Sequence, residues 1–362
     1  MSAAGAARPD MERSASVVER GTAVSGIATM HPASFALVMA TGIVSVACEV
    51  LGLRWLAGLL LWVNACFYVA LWALTIARTI RFPSGVVADI AHHGRAVGFF
   101  TTVAATCVLG SQVWLIRGAW TTAAALWFFG IVLWAMVTYT VFTVLTVKSE
   151  KPPLAEGING GWLVAVVAAQ SVSVLGGQIA AGFGAAAPNV LLFCLGMWLG
   201  AGMLYIWIIS LIFYRYTFFA MSPSDLAPPY WINMGAVAIS TLAGATLVVA
   251  APLSPLLQGL LPFLTGFTLL FWATATWWIP MLIILGIWRH IYMRFPLRYD
   301  PLYWGAVFPL GMYAVATFRL APIINAPFLV SVSQLFLYAA LAGWALAAAG
   351  LVYSLASRRR RT

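Results

Sequence analysis

Side chains able to do chemistry are few in this chain, and their spacing limits the chemistry they can do. Asp89-Ile-Ala-His92-His93 sets a carboxylate about one helical turn from two imidazoles, the donor types that hold a transition metal. Adjacent histidines point in different directions on a helix. No further ligand lies nearby, so an ion-paired loop accounts for the motif better, and neither a metal nor a cofactor is expected. The cysteines, Cys48, Cys66, Cys107 and Cys194, lack metal or redox spacing and read as small buried hydrophobes. Intramembrane hydrolysis needs a His, Asp or metal cluster at depth. His31, His92, His93 and His290 all fall at the edges of apolar segments, so no enzymatic activity is expected.

A different kind of chemistry, steric rather than covalent, is suggested by Tyr303-Trp-Gly-Ala-Val-Phe-Pro-Leu-Gly311. It sets Phe308 directly before Pro309 inside a segment without charge from Pro301 to Phe318. Proline removes a helical hydrogen bond and crowds the carbonyl one turn back, bending the helix. A bulky ring held at such a bend suits a plug for a narrow conduit, although kinked membrane helices are common and most of their aromatics simply pack. Small polar residues could line the conduit wall: Ser34, Thr41, Ser45, Thr101, Thr102, Gln170, Ser171, Ser173, Asn233 and Ser240. Each alone equally suits close helix packing. Gln170 and Asn233 are the hardest to dismiss, because an amide in hydrocarbon needs a partner or water.

The elements that must hold these residues follow from composition. The chain is 63% hydrophobic and 8% charged, with mean hydropathy +0.97, whereas soluble chains are about 25% charged. No Asp, Glu, Lys or Arg occurs in Gly21–Cys48, Trp55–Ala77, Ala96–Ile116, Gly118–Val147, Gly157–Tyr214, Leu226–Trp288, Pro301–Phe318 or Leu320–Ser357. A spanning helix takes roughly 20 residues. The two longest intervals, of 58 and 63 residues, each hold two helices and a turn. The expectation is an all-α polytopic membrane protein with ten transmembrane helices, at 32–50, 56–77, 95–116, 121–146, 161–182, 190–213, 230–251, 263–287, 302–319 and 331–355. The chain then divides into a flexible tail over 1–28, a ten-helix domain over 29–356 and a basic tail over 357–362.

Orientation follows from the basic residues. Arg8, Arg13, Arg20, Arg78, Arg81, Arg95, Lys148, Lys151, Arg215, Arg289, Arg294, Arg298 and Arg358 to Arg361 make 16 of the 19 Lys and Arg on one face. Only Arg54, Arg117 and Arg319 lie on the other. Both termini are therefore expected in the cytoplasm of a cell-membrane protein, and the net charge of +10 reflects topology and anionic lipid contact, not nucleic-acid binding. Glu49 and Arg319 sit near the outer helix ends, and no acid lies at mid-membrane. A cation pathway usually carries acidic rings, whereas neutral walls can pass an anion and release it, with basic loops raising its local concentration. Topology alone explains those loops equally well.

His31-Pro-Ala-Ser-Phe-Ala-Leu-Val-Met-Ala-Thr-Gly-Ile-Val-Ser45 and Trp304-Gly-Ala-Val-Phe-Pro309 resemble the tellurite-resistance/dicarboxylate transporter family. That family includes the bacterial TehA protein, plant slow anion channels, and fungal malate carriers and sulfite efflux pumps. The resemblance implies five helical hairpins around a central pore, odd-numbered helices inside, and assembly as a homotrimer with one pore per subunit. It also implies that Phe308 occludes the pore, with Pro309 fixing its presentation. Ala36 then stands where family members usually carry the glycine against which the gate packs. The pore wall would fall to Ala36, Thr41, Ser45, Thr101, Thr102, Gln170, Ser173, Asn233 and Ser240. Three functions stay open: passive or weakly coupled permeation of small anions such as dicarboxylates, tellurite, sulfite or chloride; a proton-coupled dicarboxylate carrier; and a scaffold or non-anion exporter.

Overall fold

The computed structural model describes residues 26–297 and 299–359, with side chains to Ser357. Most of the two expected tails, and Arg298, lie outside the described residues. Among those described there is helix and no strand. Ten long helices carry the fold: α1 (Ala36–Val50), α2 (Arg54–Arg81), α3 (Phe100–Arg117), α4 (Trp120–Val147), α5 (Val164–Ile179), α6 (Ala187–Phe218), α7 (Ile232–Ala250), α8 (Leu261–Ile287), α9 (Trp304–Ile323) and α10 (Leu329–Arg359).

Nine apolar helical runs among the described residues are long enough to cross a membrane. One of them, Gly160–Phe218, is 59 residues long, which as a single rod would measure about 88 Å, nearly three bilayer cores. It breaks instead at Gly184, whose φ of 54° and ψ of −122° are not helical. Glycine takes that positive φ without a Cβ clash, so α5 and α6 double back and pack on each other.

The inner helices close a ring. α1 packs on α3, α3 on α5, α5 on α7, α7 on α9, and α9 returns to α1. Each even-numbered helix lies outside against its hairpin partner, and α2, α4, α6, α8 and α10 also touch the next inner helix. Burial follows this order. The spans holding α1, α3 and α7 are 72% buried and that of α9 67%, whereas those of α2, α4, α8 and α10 are 22%, 17%, 22% and 17% buried. The outer faces carry Trp55, Trp62, Trp207, Ile284 and Leu346 into the surroundings, an apolar exterior that only lipid can solvate.

The basic residues that mark one face also fasten it. Arg78, at the end of α2, donates from Nε to the Ala28 carbonyl at 3.2 Å, just before α1. Lys148, after α4, donates to Ala91 at 3.0 Å, just before the approach to α3. Arg215 in α6 donates to Ile158 at 2.8 Å, just before α5, and Arg289 after α8 donates to Leu226, just before α7. Four hairpins thus repeat one tie: the basic end of the outer helix grips the backbone where its inner partner begins. Charge-assisted bonds of this kind are roughly twice as strong as neutral ones.

Candidate functional site

The lumen is built from the way the inner helices start. Each is preceded by a 3-10 turn, at Pro32–Phe35, Val97–Phe99, Gly160–Leu163, Pro228–Trp231 and Pro301–Tyr303. The chain enters four of these helices through a side-chain cap. His31 Nδ1 accepts from the Ala33 N–H at 3.0 Å, and His92 Nδ1 from the Gly94 N–H at 3.1 Å. Asn159 Oδ1 accepts from the Gly161 N–H at 2.8 Å, and Asp300 Oδ1 from the Leu302 N–H at 2.8 Å. The fifth start, Ala227-Pro228-Pro229, has proline at the equivalent donor position, and proline has no N–H to satisfy. The caps fix the rotation of the helices they begin.

Counting from the cap, the fifth and eighth residues face inward: Ala36 and Met39 in α1, Val164 and Val167 in α5, Gly305 and Phe308 in α9. An extra turn at His93–Ala96 shifts the count by one before α3, where Gly98 and Thr101 take the same places. All eight line a chamber of about 410 Å³ that opens among the helix starts on the basic face. A second chamber, of only about 20 Å³, lies one turn deeper and is walled by Ile43, Val108, Ser171, Ile239, Leu242 and Met312, among others. Phe308, 1% exposed, lines the large chamber, and Met312, one turn on in α9, lines the small one. Pro309, next to Phe308, faces α7, where a methyl placed on Gly235 would come within 2.7 Å of the Pro309 Cγ. Pro309 also leaves the Gly305 carbonyl without its helical donor, and Gly305 lines the chamber.

The remaining residues expected at the wall turn elsewhere. Thr41 Oγ1 accepts from Trp344 Nε1 at 3.0 Å, toward α10. Ser45 donates to the Ala57 carbonyl at 2.8 Å, toward α2, and Thr102 to Phe99 at 2.7 Å within its own turn. Gln170 donates to Trp198 at 3.1 Å and Ser173 to Cys194 at 2.8 Å, both in α6. Asn233 donates to the Tyr216 hydroxyl at 3.3 Å, and Ser240 back-bonds to Ala236 at 2.8 Å. Ala36, Thr101 and Phe308 are thus brought together at one chamber, while the others join inner helices to outer ones or to their own backbone. Asp89 is bonded by Arg78 and Arg95, so its carboxylate and the His92 Nδ1 cap are already engaged.

The large chamber also gathers residues that sequence alone does not single out: Met39, Asn159, Val167, Arg215, Tyr216 and Asp225. The signal that finds the aliphatic ones is the cap itself, a polar residue before Pro or Gly, followed by small or apolar residues five and eight places on. Electrostatically the chamber is mixed. Arg215 is its buried cation, paired with Asp225 at 3.4 Å, and Glu156 stands exposed at the rim. Burial, then Arg95 and to a lesser degree Arg78, hold the His31 imidazole below its ordinary value, against a smaller upward pull from Asp89 and Asp300. His31 therefore stays neutral near pH 7, as its cap requires.

A ring of five apolar helices, jacketed by five more around a chambered axis, defines a polytopic membrane protein. The chain belongs to the voltage-dependent anion channel family, matching it over residues 29–352, and is a membrane anion transporter of that family. It is similar to an uncharacterized membrane protein of Mycobacterium tuberculosis (strain CDC 1551 / Oshkosh), 39% identical over 42% of this chain and 78% of the relative. An uncharacterized transporter of Methanocaldococcus jannaschii is 25% identical over 78% of this chain and 82% of its own. A sulfite efflux pump of Trichophyton rubrum is 25% identical over 90% of this chain and 91% of its own.

Proposed function

We propose that small anions cross the membrane along the axis of the inner ring and that Phe308 is the steric gate. The observation that carries this reading is that Phe308 lines the large chamber of about 410 Å³, while Met312, one turn on in the same helix, lines the small chamber of about 20 Å³. The inner walls offer no fixed charge at mid-depth, so an anion meets neutral side chains and is released again. The basic face is read as cytoplasmic, which puts both termini inside a ten-crossing protein of the cell membrane. The large chamber is then the cytoplasmic vestibule. Sulfite is the favoured substrate among the small anions, supported by the fungal efflux pump that aligns over 90% of the chain, and its expected direction is outward. The protein acts as a conduit without covalent chemistry.

The test is flux in proteoliposomes across sulfite, nitrate, chloride and malate, comparing wild type with Phe308→Ala. Removing the ring raises flux of the permeant anion while the protein stays folded. Equal flux in the two proteins rejects the gate, and flux that depends on an imposed pH gradient favours a proton-coupled carrier instead.

A further inference from the structure

We propose that the vestibule contains an oxyanion-binding site centred on the Arg215 guanidinium, with Asp225 as the internal counter-ion that occupies it when no substrate is bound. This rests on the anion-conduit reading and names the residue in it that first holds the substrate. Arg215 differs from the other basic residues that tie the hairpins. Arg78 meets the Asp89 carboxylate at 2.7 Å, and Arg289 lies 4.5 Å from the centre of the Phe295 ring. Neither lines the vestibule, and Arg215 does.

The Arg215 side chain is 9% exposed, so its charge is largely stripped of water. Its Nη1 donates to the Ile158 carbonyl at 2.8 Å. Among the described residues its Nη2 meets only Asp225 Oδ1, at 3.4 Å, long for a bond between opposite charges, which settles near 2.7–2.9 Å. Its Nε has no hydrogen-bond partner among the described residues. A guanidinium carries five N–H donors in a fixed fork, and a desolvated cation this weakly neutralised gains strongly from a closer anion.

Asp225 is suited to yield. Its side chain is 34% exposed, and it sits in the loop between α6 and α7. Its second oxygen is anchored away from Arg215, accepting from the Ser222 N–H and hydroxyl at 2.8 Å each. When Asp225 turns outward, the Nη2 edge is freed for a substrate oxygen. A second donor is offered by Tyr216, which also lines the vestibule: its hydroxyl accepts from the Asn233 amide, leaving its own proton to give. Carboxylates, sulfite and nitrate present paired oxygens that match a guanidinium edge, whereas a halide offers one centre. The site therefore favours oxyanions over chloride. Asp225 and the exposed Glu156 at the rim keep the binding loose enough for release.

The experiment measures proteoliposome flux against sulfite and chloride concentration for wild type, Asp225→Asn and Arg215→Lys, with folding checked by thermal melting in detergent. Removing the competing carboxylate in Asp225→Asn lowers the half-saturating sulfite concentration, by roughly 1.5- to fivefold for a charge pair of this kind. Arg215→Lys raises it and erases the preference for sulfite over chloride. Sulfite raises the melting temperature of wild type and not of Arg215→Lys. A purely structural Arg215 would change the amount of folded transporter and its maximal flux, leaving half-saturation alone. Unchanged half-saturation in both folded variants, with flux intact, overturns the site. Absence of anion flux in wild type itself rejects the conduit reading on which the site rests.

Discussion

At the scale of the residue, polar side chains in this protein serve mainly as clamps between helices. Gln170, Ser173 and Thr41 reach backbone or indole groups of outer helices, because in hydrocarbon an unmet donor finds the nearest acceptor. Sequence points to these residues as candidates for the wall, yet it cannot give the rotation of a helix whose every face is apolar, so wall and clamp look alike. Phe308 is legible for a local reason: the following proline marks a break in a charge-free segment. Gly235, by contrast, carries no mark, and its importance lies in Pro309 packed against it. Gly235→Ala forces Pro309 away and is expected to cost about 1–3 kcal/mol, as overpacking does, with altered flux through the displaced Phe308; thermal melting and flux together check both. Thr41→Val loses the bond from Trp344, lowers stability by about 0.6–2 kcal/mol, and leaves the flux of the folded protein at the wild-type level.

At the scale of the element, the ten long helices are readable from charge-free intervals, with ends displaced by a few residues, because apolar length is a compositional quantity. The ties and caps at their starts are not readable in that way. Arg78, Lys148, Arg215 and Arg289 donate to backbone carbonyls, and every residue carries one, so the acceptor leaves no trace in residue type. The pattern of four capped starts becomes visible only once His31, His92, Asn159 and Asp300 are seen to perform one task. Asn159→Ala removes the acceptor for Gly161 and is expected to destabilise by about 0.5–2 kcal/mol, measured by thermal melting, whereas Asn159→Asp keeps the cap.

His31 makes its own cap sensitive to pH. Burial and the nearby Arg95 and Arg78 hold its folded value below the ordinary one, so the unfolded chain takes up a proton first as pH falls. Its stabilising contribution is complete above about pH 6.5, the ordinary histidine value, and is lost as pH drops through the depressed value. Asp89 acts in the same direction lower on the scale. Burial alone pushes its carboxyl up, but the bonds from Arg95 and Arg78 outweigh that and hold it below the usual carboxylate range. Melting temperatures followed from pH 7.5 downward are expected to fall less steeply for His31→Asn than for wild type; identical slopes would remove His31 from the account.

At the scale of the whole molecule, five hairpins surround a large chamber of mixed lining and a much smaller, mainly apolar one deeper along the inner helices. The large chamber is where the helix starts and Arg215 meet, and the small one is walled by Ile43, Val108, Ser171, Ile239, Leu242 and Met312, among others. A narrow passage of this kind resists ions by excluding water as well as by bulk, so under the proposed gate Phe308 and Met312 would act in series. The central claim, that anions travel this axis and are held back at Phe308, is tested most directly by one flux series. Sulfite efflux from proteoliposomes is measured for wild type, Phe308→Ala and Phe308→Ala/Met312→Ala at equal amounts of folded protein. The predicted order is wild type lowest, the single variant higher and the double variant highest, whereas equal flux in all three would contradict the account.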